Sequence, residues 1–167
     1  MGLKADLPYP SLEGITNDCR ALRVVSPAYA GREGELTATL QYVYQSILLG
    51  EKGYGDLSRL LLDIAVTEMH HIELLGSLIT RLGAPPVFTA CPPYPVGFYS
   101  ASCVNYAKSP EAMLSADIRG ERAAIECYES MLCALCNERV CAVISRIIED
   151  EKVHLRALER AWEELCS

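Results

Sequence analysis

The chain has 167 residues, half of them hydrophobic, a length that permits one domain with a sizeable core and excludes a disordered chain. It carries 22 acidic against 15 basic residues, a net charge of -7, with no basic run, so nucleic acid is not an expected partner. No apolar run reaches membrane-spanning length and the first residues lack a signal-peptide pattern, so no membrane partner and a cytoplasmic location are expected.

In chain order, residues 1–27 carry Pro8, Pro10, Gly14 and Pro27 with no sustained period and read as an irregular arm. A first helix is predicted over 28–50, ending at the glycines Gly50, Gly53 and Gly55. Asp56 is a fair N-cap for a second helix over 56–83, which stops at Gly83 before Pro85 and Pro86. Residues 84–108 hold five prolines and several aromatics and read as a long crossover. Ser109-Pro110 opens a third helix over 109–136, and a break near Asn137 leads into a fourth over 138–166. Short links make each helix pair antiparallel, and the long one lets the second hairpin lie against the first, so 1–167 is expected to be one all-α, four-helix domain.

One motif occurs twice. Gly34-Glu35-x-x-Ala38-x-x-x-Tyr42 recurs as Gly120-Glu121-x-x-Ala124-x-x-x-Tyr128, and Glu68-x-x-His71 recurs as Glu151-x-x-His154. Each candidate lies in the apolar stripe of its helix: Ile64, Glu68, His71 and Leu75 on the second, for example, and Ile147, Glu151, His154 and Leu158 on the fourth. Residues three apart share a helix face, so Glu-x-x-His offers an oxygen and a nitrogen to one ion. Four ionised carboxylates in a core would repel one another at large cost. Two divalent cations cancel their charge, and carboxylate with imidazole suits iron or manganese, with zinc also accommodated. The candidate metal ligands are therefore Glu35, Glu68, His71, Glu121, Glu151 and His154.

Other inward polar residues carry open alternatives. Asp117, one turn before Glu121, is an extra ligand, an acceptor for a histidine N–H, or an ordinary helix residue. Tyr42 and Tyr128 either hydrogen-bond the site, act as redox neighbours, or pack with satisfied hydroxyls; Gln45 is equally ambiguous. His70 falls off the stripe and reads as a surface or interface residue. The eight cysteines include one CxxC, Cys133-x-x-Cys136, and are expected to be reduced and mostly packed.

A Glu from each of two helices with Glu-x-x-His from each of two others is the ligand pattern of ferritin-like di-iron and di-manganese carboxylate proteins. The stretches GREGELTATLQYVYQ, DIAVTEMHHIELLG, SADIRGERAAIECYE and IIEDEKVHLRAL resemble the rubrerythrin and manganese-catalase branch of that superfamily, and most closely its manganese-catalase-type and spore-coat-associated members, over residues 28–165. The resemblance implies a ferritin-like bundle, two iron or manganese ions held by bridging or terminal ligands at the six positions above, and reaction with hydrogen peroxide or dioxygen. It also implies homodimers or higher homo-oligomers. Rubrerythrins usually carry a rubredoxin-like electron-transfer domain with paired CxxC motifs, which this sequence lacks, so a peroxidase would need an external electron donor. Beside a peroxide-consuming oxidoreductase stand two other readings: a metal-binding or storage module without turnover, and a structural coat-type protein retaining the site.

Overall fold

Asp18 opens the first helix. In the computed structural model, which describes residues 2–167, its carboxylate accepts from the backbone N–H groups of Arg20 and Ala21, satisfying donors that the helix itself leaves open. Helix α1 (Cys19–Ala30) lies where the sequence predicted irregular chain, with Ala21, Val25, Ala28 and Tyr29 facing inward. Pro27 sits inside its last turn rather than at a boundary. The Pro- and Gly-rich residues before it masked a short amphipathic helix with a good cap.

The predicted 28–50 helix is broken at 31–34. Helix α2 (Glu35–Glu51) starts afresh after Gly34, whose own carbonyl accepts from Thr37 and Ala38. The approach is close: a Cβ on Gly34 would meet the Ala28 carbonyl oxygen at 2.5 Å, and one on Gly31 would meet the Pro27 carbonyl oxygen at 2.4 Å. Glycine is required there by space, not by a left-handed conformation. Gly120, its counterpart in the repeat, is exposed in mid-helix and a Cβ there meets nothing. The two substitutions should therefore differ in sign. Gly34→Ala is expected to destabilise by about 1–3 kcal/mol through overpacking, and Gly120→Ala to stabilise by about 1 kcal/mol through helix propensity; thermal melts of both variants check this.

Helices α3 (Gly55–Arg81), α4 (Pro110–Ala134) and α5 (Glu138–Leu165) complete the bundle. Asp56 is not the cap of α3; it lies in the first turn, paired with Arg59. Ser109 caps α4 through Ala112 N–H, with Pro110 at the first helical position. Asn137 caps α5 through Arg139 and Val140 N–H. Helices α2 and α3 pack as one hairpin and α4 and α5 as the other. Between the hairpins, residues 84–108 form an irregular crossover with one 3-10 turn at Ala101–Cys103 and a single bridge between Thr89 and Phe98. No described helix is long and apolar enough to cross a membrane.

Two apolar cores form. One, around Leu75, Leu78, Met131, Ile144 and Ile147, also takes in α1; the other is built around Leu49, Leu61, Ile64, Leu114 and Leu158. Along α3, Glu68 and His71 fall between Ile64 and Leu75; along α5, Glu151 and His154 fall between Ile147 and Leu158. The polar repeat thus occupies a layer closed by apolar packing on both sides. The cysteines do not pack as expected. Six of the eight are exposed and the other two half-buried, and all are free thiols. They fall off the inward stripes, as Cys127 does beside buried Tyr128.

Candidate metal centre

The repeat brings its six side chains together from four helices: Glu35 on α2, Glu68 and His71 on α3, Glu121 on α4, Glu151 and His154 on α5. None is more than 5% exposed. His71 Nδ1 lies 3.0 Å from Glu68 Oε2, 3.1 Å from Glu151 Oε1 and 3.6 Å from Glu35 Oε2. His154 Nδ1 lies 3.0 Å from Glu68 Oε1, 3.4 Å from Glu151 Oε2 and 3.8 Å from Glu121 Oε2. Two overlapping donor groups result, Glu35/Glu68/His71/Glu151 and Glu68/Glu121/Glu151/His154, each with donor atoms within 4.8 Å of one another. Glu68 and Glu151 belong to both groups; Glu35 and Glu121 belong to one each.

The histidine tautomers follow from their outer partners. His154 Nε2 donates to the Leu3 carbonyl at 2.8 Å, and a carbonyl can only accept, so Nε2 keeps its proton and Nδ1 is the nitrogen that gives up its proton when the ring is neutral, turning a lone pair to the cluster. His71 Nε2 likewise donates to Asp150 Oδ2 at 3.0 Å. The tyrosines are arranged reciprocally. Tyr42 on α2 donates its hydroxyl to Glu121 on α4, and Tyr128 on α4 donates to Glu35 on α2. Burial, followed by the Glu121 and Glu35 charges respectively, holds both phenols protonated well above their ordinary range.

Without a cation the cluster must hold protons. Burial, then the charges of Glu68 and Glu151, push the Glu35 carboxyl well above its usual range; burial and Glu151 do the same to Glu121. Burial also disfavours charge on Glu68, but the His154 charge and hydrogen bonds from Glu35, His154 and His71 outweigh it and hold Glu68 well below. Burial opposes protonation of His71 and His154, yet Glu35 and Glu68 respectively, with further carboxylate hydrogen bonds, raise both well above the ordinary imidazole range. Even so, Glu151 Oε1 and His154 Nδ1 are buried with no well-aligned hydrogen bond, although His71 Nδ1 and Glu68 Oε1 lie 3.1 and 3.0 Å from them. Such orphaned donor atoms, among carboxylate and imidazole donors in a dry layer, fit a metal site.

The remaining inward residues fall elsewhere. Asp117 is buried and serves neither histidine; its Oδ1 accepts from Gln41 and Gln45 Nε2, at 2.8 and 3.0 Å. Burial raises its carboxyl to about 7 despite those bonds. The folded chain therefore binds this proton more tightly than the unfolded chain, so its contribution to stability is complete below about pH 4 and is lost as pH rises through 7. Asp117→Asn is expected to raise the Tm of metal-free protein by on the order of 5 °C at pH 8 and to change it little at pH 4; melts at both values test this. His70 is partly exposed and stacks edge-on against Tyr9.

Sequence reasoning missed the outer residues. Asp150 also takes the Arg146 guanidinium at 2.7 Å, Ala5 N–H at 2.7 Å and the Tyr9 hydroxyl at 2.5 Å. The available signal was Arg146 four residues before Asp150 and Asp150 directly before Glu151, a buried acid–base pair abutting a candidate ligand.

The chain superposes on the manganese catalase KatB from Anabaena with a TM-score of 0.83 at 22% identity, over 99% of this chain and 81% of that one. It superposes on Desulfovibrio desulfuricans bacterioferritin, a protein with a diiron site, with a TM-score of 0.71 at 28% identity, over 87% and 79% of the two chains. The fold is ferritin-like. In sequence, residues 15–88 match the family of manganese containing catalase. The D. desulfuricans bacterioferritin is 28% identical over 144 residues, 84% of this chain and 74% of that protein. Both are ferritin-like di-metal carboxylate proteins, and the likeness of this ferritin-like chain to them agrees with the resemblance carried by its repeated motifs.

Proposed function

We propose that this ferritin-like chain is a dinuclear iron or manganese oxidoreductase acting on hydrogen peroxide or dioxygen. The observation that carries the reading is the pair of donor groups sharing Glu68 and Glu151. In it, Glu68 and Glu151 would serve both ions, Glu35 and His71 would hold one of them, and Glu121 and His154 would hold the other. When bound, the two ions supply Lewis acidity and one redox equivalent each. The protein's part is orientation and exclusion of water. Tyr42 and Tyr128 fix the Glu121 and Glu35 carboxylates by donating to them, and the apolar layers on both sides keep the cluster from water.

Disproportionation of two peroxides to two waters and dioxygen needs no other reactant. Reduction of peroxide to two waters consumes two electrons and two protons, which an external donor must supply. A clark-type electrode distinguishes these on protein loaded with manganese or with iron. Dioxygen release identifies the catalase reaction, and peroxide loss only with an added reductant identifies the peroxidase. No peroxide or dioxygen consumption with either metal would sink the oxidoreductase reading. The bacterioferritin likeness favours a storage module as the second reading, which predicts slow accumulation of many ferric ions per chain instead. Outward Leu40 and Ile47 on α2, with Leu62, Val66 and Met69 on α3, support a homodimer or larger homo-oligomer.

A further inference from the structure

The repeat makes the inner donors of the two halves alike, but the groups behind the histidines differ. His71 Nε2 faces the carboxylate of Asp150 at 3.0 Å. His154 Nε2 faces the neutral Leu3 carbonyl at 2.8 Å, which also accepts from Thr67 Oγ1 at 2.9 Å. Asp150 directly precedes Glu151 and Thr67 directly precedes Glu68, so these two residues occupy equivalent places in the repeat. In one half that place holds a carboxylate that reaches the opposite histidine. In the other it holds a hydroxyl that recruits a backbone carbonyl instead.

That carbonyl comes from residues 2–9, which run as a strap over α3 and α5. Leu3 N–H donates to the Asp63 carbonyl on α3. Arg146 on α5 donates to the carbonyls of Ala5 and Leu7, and its guanidinium stacks 4.1 Å from the Tyr9 ring. Ala5 N–H and Tyr9 hydroxyl bind Asp150. One strap thus supplies the acceptor behind His154 and orients the acceptor behind His71.

We propose that the two ion positions are chemically inequivalent, the His71 position being the tighter, because Asp150 backs His71 whereas only a shared strap carbonyl backs His154. A carboxylate draws the N–H proton more strongly than a carbonyl, making the opposite ring nitrogen a better donor to metal. Arg146 balances the Asp150 charge, so the difference lies in acceptor strength rather than in added net charge. Asp150 and Thr67 are positioning residues, acting through the rings. The inference rests on the dinuclear reading above.

Full-length protein stripped with chelator is titrated with Mn2+ by calorimetry, and 15N-histidine NMR follows a parallel Zn2+ titration; with three histidines in the chain the spectrum is assignable. Repulsion between the ions separates the two steps in any dinuclear site, so the variants and the order of filling decide. The first equivalent of Zn2+ is expected to shift the His71 ring before that of His154. Asp150→Asn should weaken the tighter Mn2+ step about 10–100-fold and leave the other nearly unchanged. Thr67→Asp, which adds an acceptor behind His154, should tighten the weaker step and narrow the gap; it decides the matter if Asp150→Asn does not fold. Filling of His154 first, or equal effects of each variant on both steps, overturns the inequivalence alone. Failure of the wild type to bind either ion overturns the dinuclear reading and this inference with it.

Discussion

Glu68→Gln is expected to abolish binding of both ions, whereas Glu35→Gln and Glu121→Gln should each leave about one ion per chain. The contrast follows from geometry. The two oxygens of Glu68 lie 3.0 Å from the two histidine Nδ1 atoms, one each, so a single carboxylate serves both donor groups. A glutamine there presents one amide N–H2 to the cluster, which repels a cation from one position and leaves the other short of charge. Glu151→Gln should resemble Glu68→Gln, since Glu151 also belongs to both groups. Glu35 and Glu121 contact one histidine apiece, and their loss should spare the opposite position. Elemental analysis of the four purified variants checks the pattern. Equal metal loss in all four would mean that the carboxylates are not divided into shared and terminal ligands.

Metal binding should also release protons and strongly stabilise the fold. His71 and His154 are held protonated by their carboxylate neighbours, and Glu35 and Glu121 by burial and the charges of other glutamates. Each must lose its proton to accept a cation. Affinity should therefore fall as pH drops, because protons compete more strongly for groups whose folded values are raised. With free metal about a hundredfold above each dissociation constant, two ions contribute about 5 kcal/mol, or roughly 10–20 °C in Tm for a domain of this size. Calorimetry in buffers of different ionisation enthalpy counts the protons, and melts with and without chelator measure the stabilisation. Binding without proton release would show that the cluster is already ionised in the metal-free chain.

Periodicity made the inward position of the six side chains legible, since a 3.6-residue stripe fixes which helix face is buried, and the structure brings all six together. Their division into shared and terminal groups was not legible. It depends on how far each helix is shifted along its neighbour, which no single helix encodes. Asp150 escaped because it lies one residue off the α5 stripe and is buried against Arg146, the strap and His71 of α3. Leu3 acts through its carbonyl, and a backbone acceptor leaves no trace in residue type. Helix α1 was hidden by the prolines around it, although Asp18 was a usable start signal. At the break, Gly31 and Gly34 pass so close to the Pro27 and Ala28 carbonyls that no Cβ would fit, a contact between neighbouring turns that a periodicity argument does not see.

The most direct test of the central claim is metal content per folded chain, measured by elemental mass spectrometry on protein expressed with both iron and manganese supplied and purified without chelator. About two redox-active ions per chain is the predicted result. A folded chain with no bound metal would contradict it, and would make the buried carboxylate–histidine layer a protonated polar core.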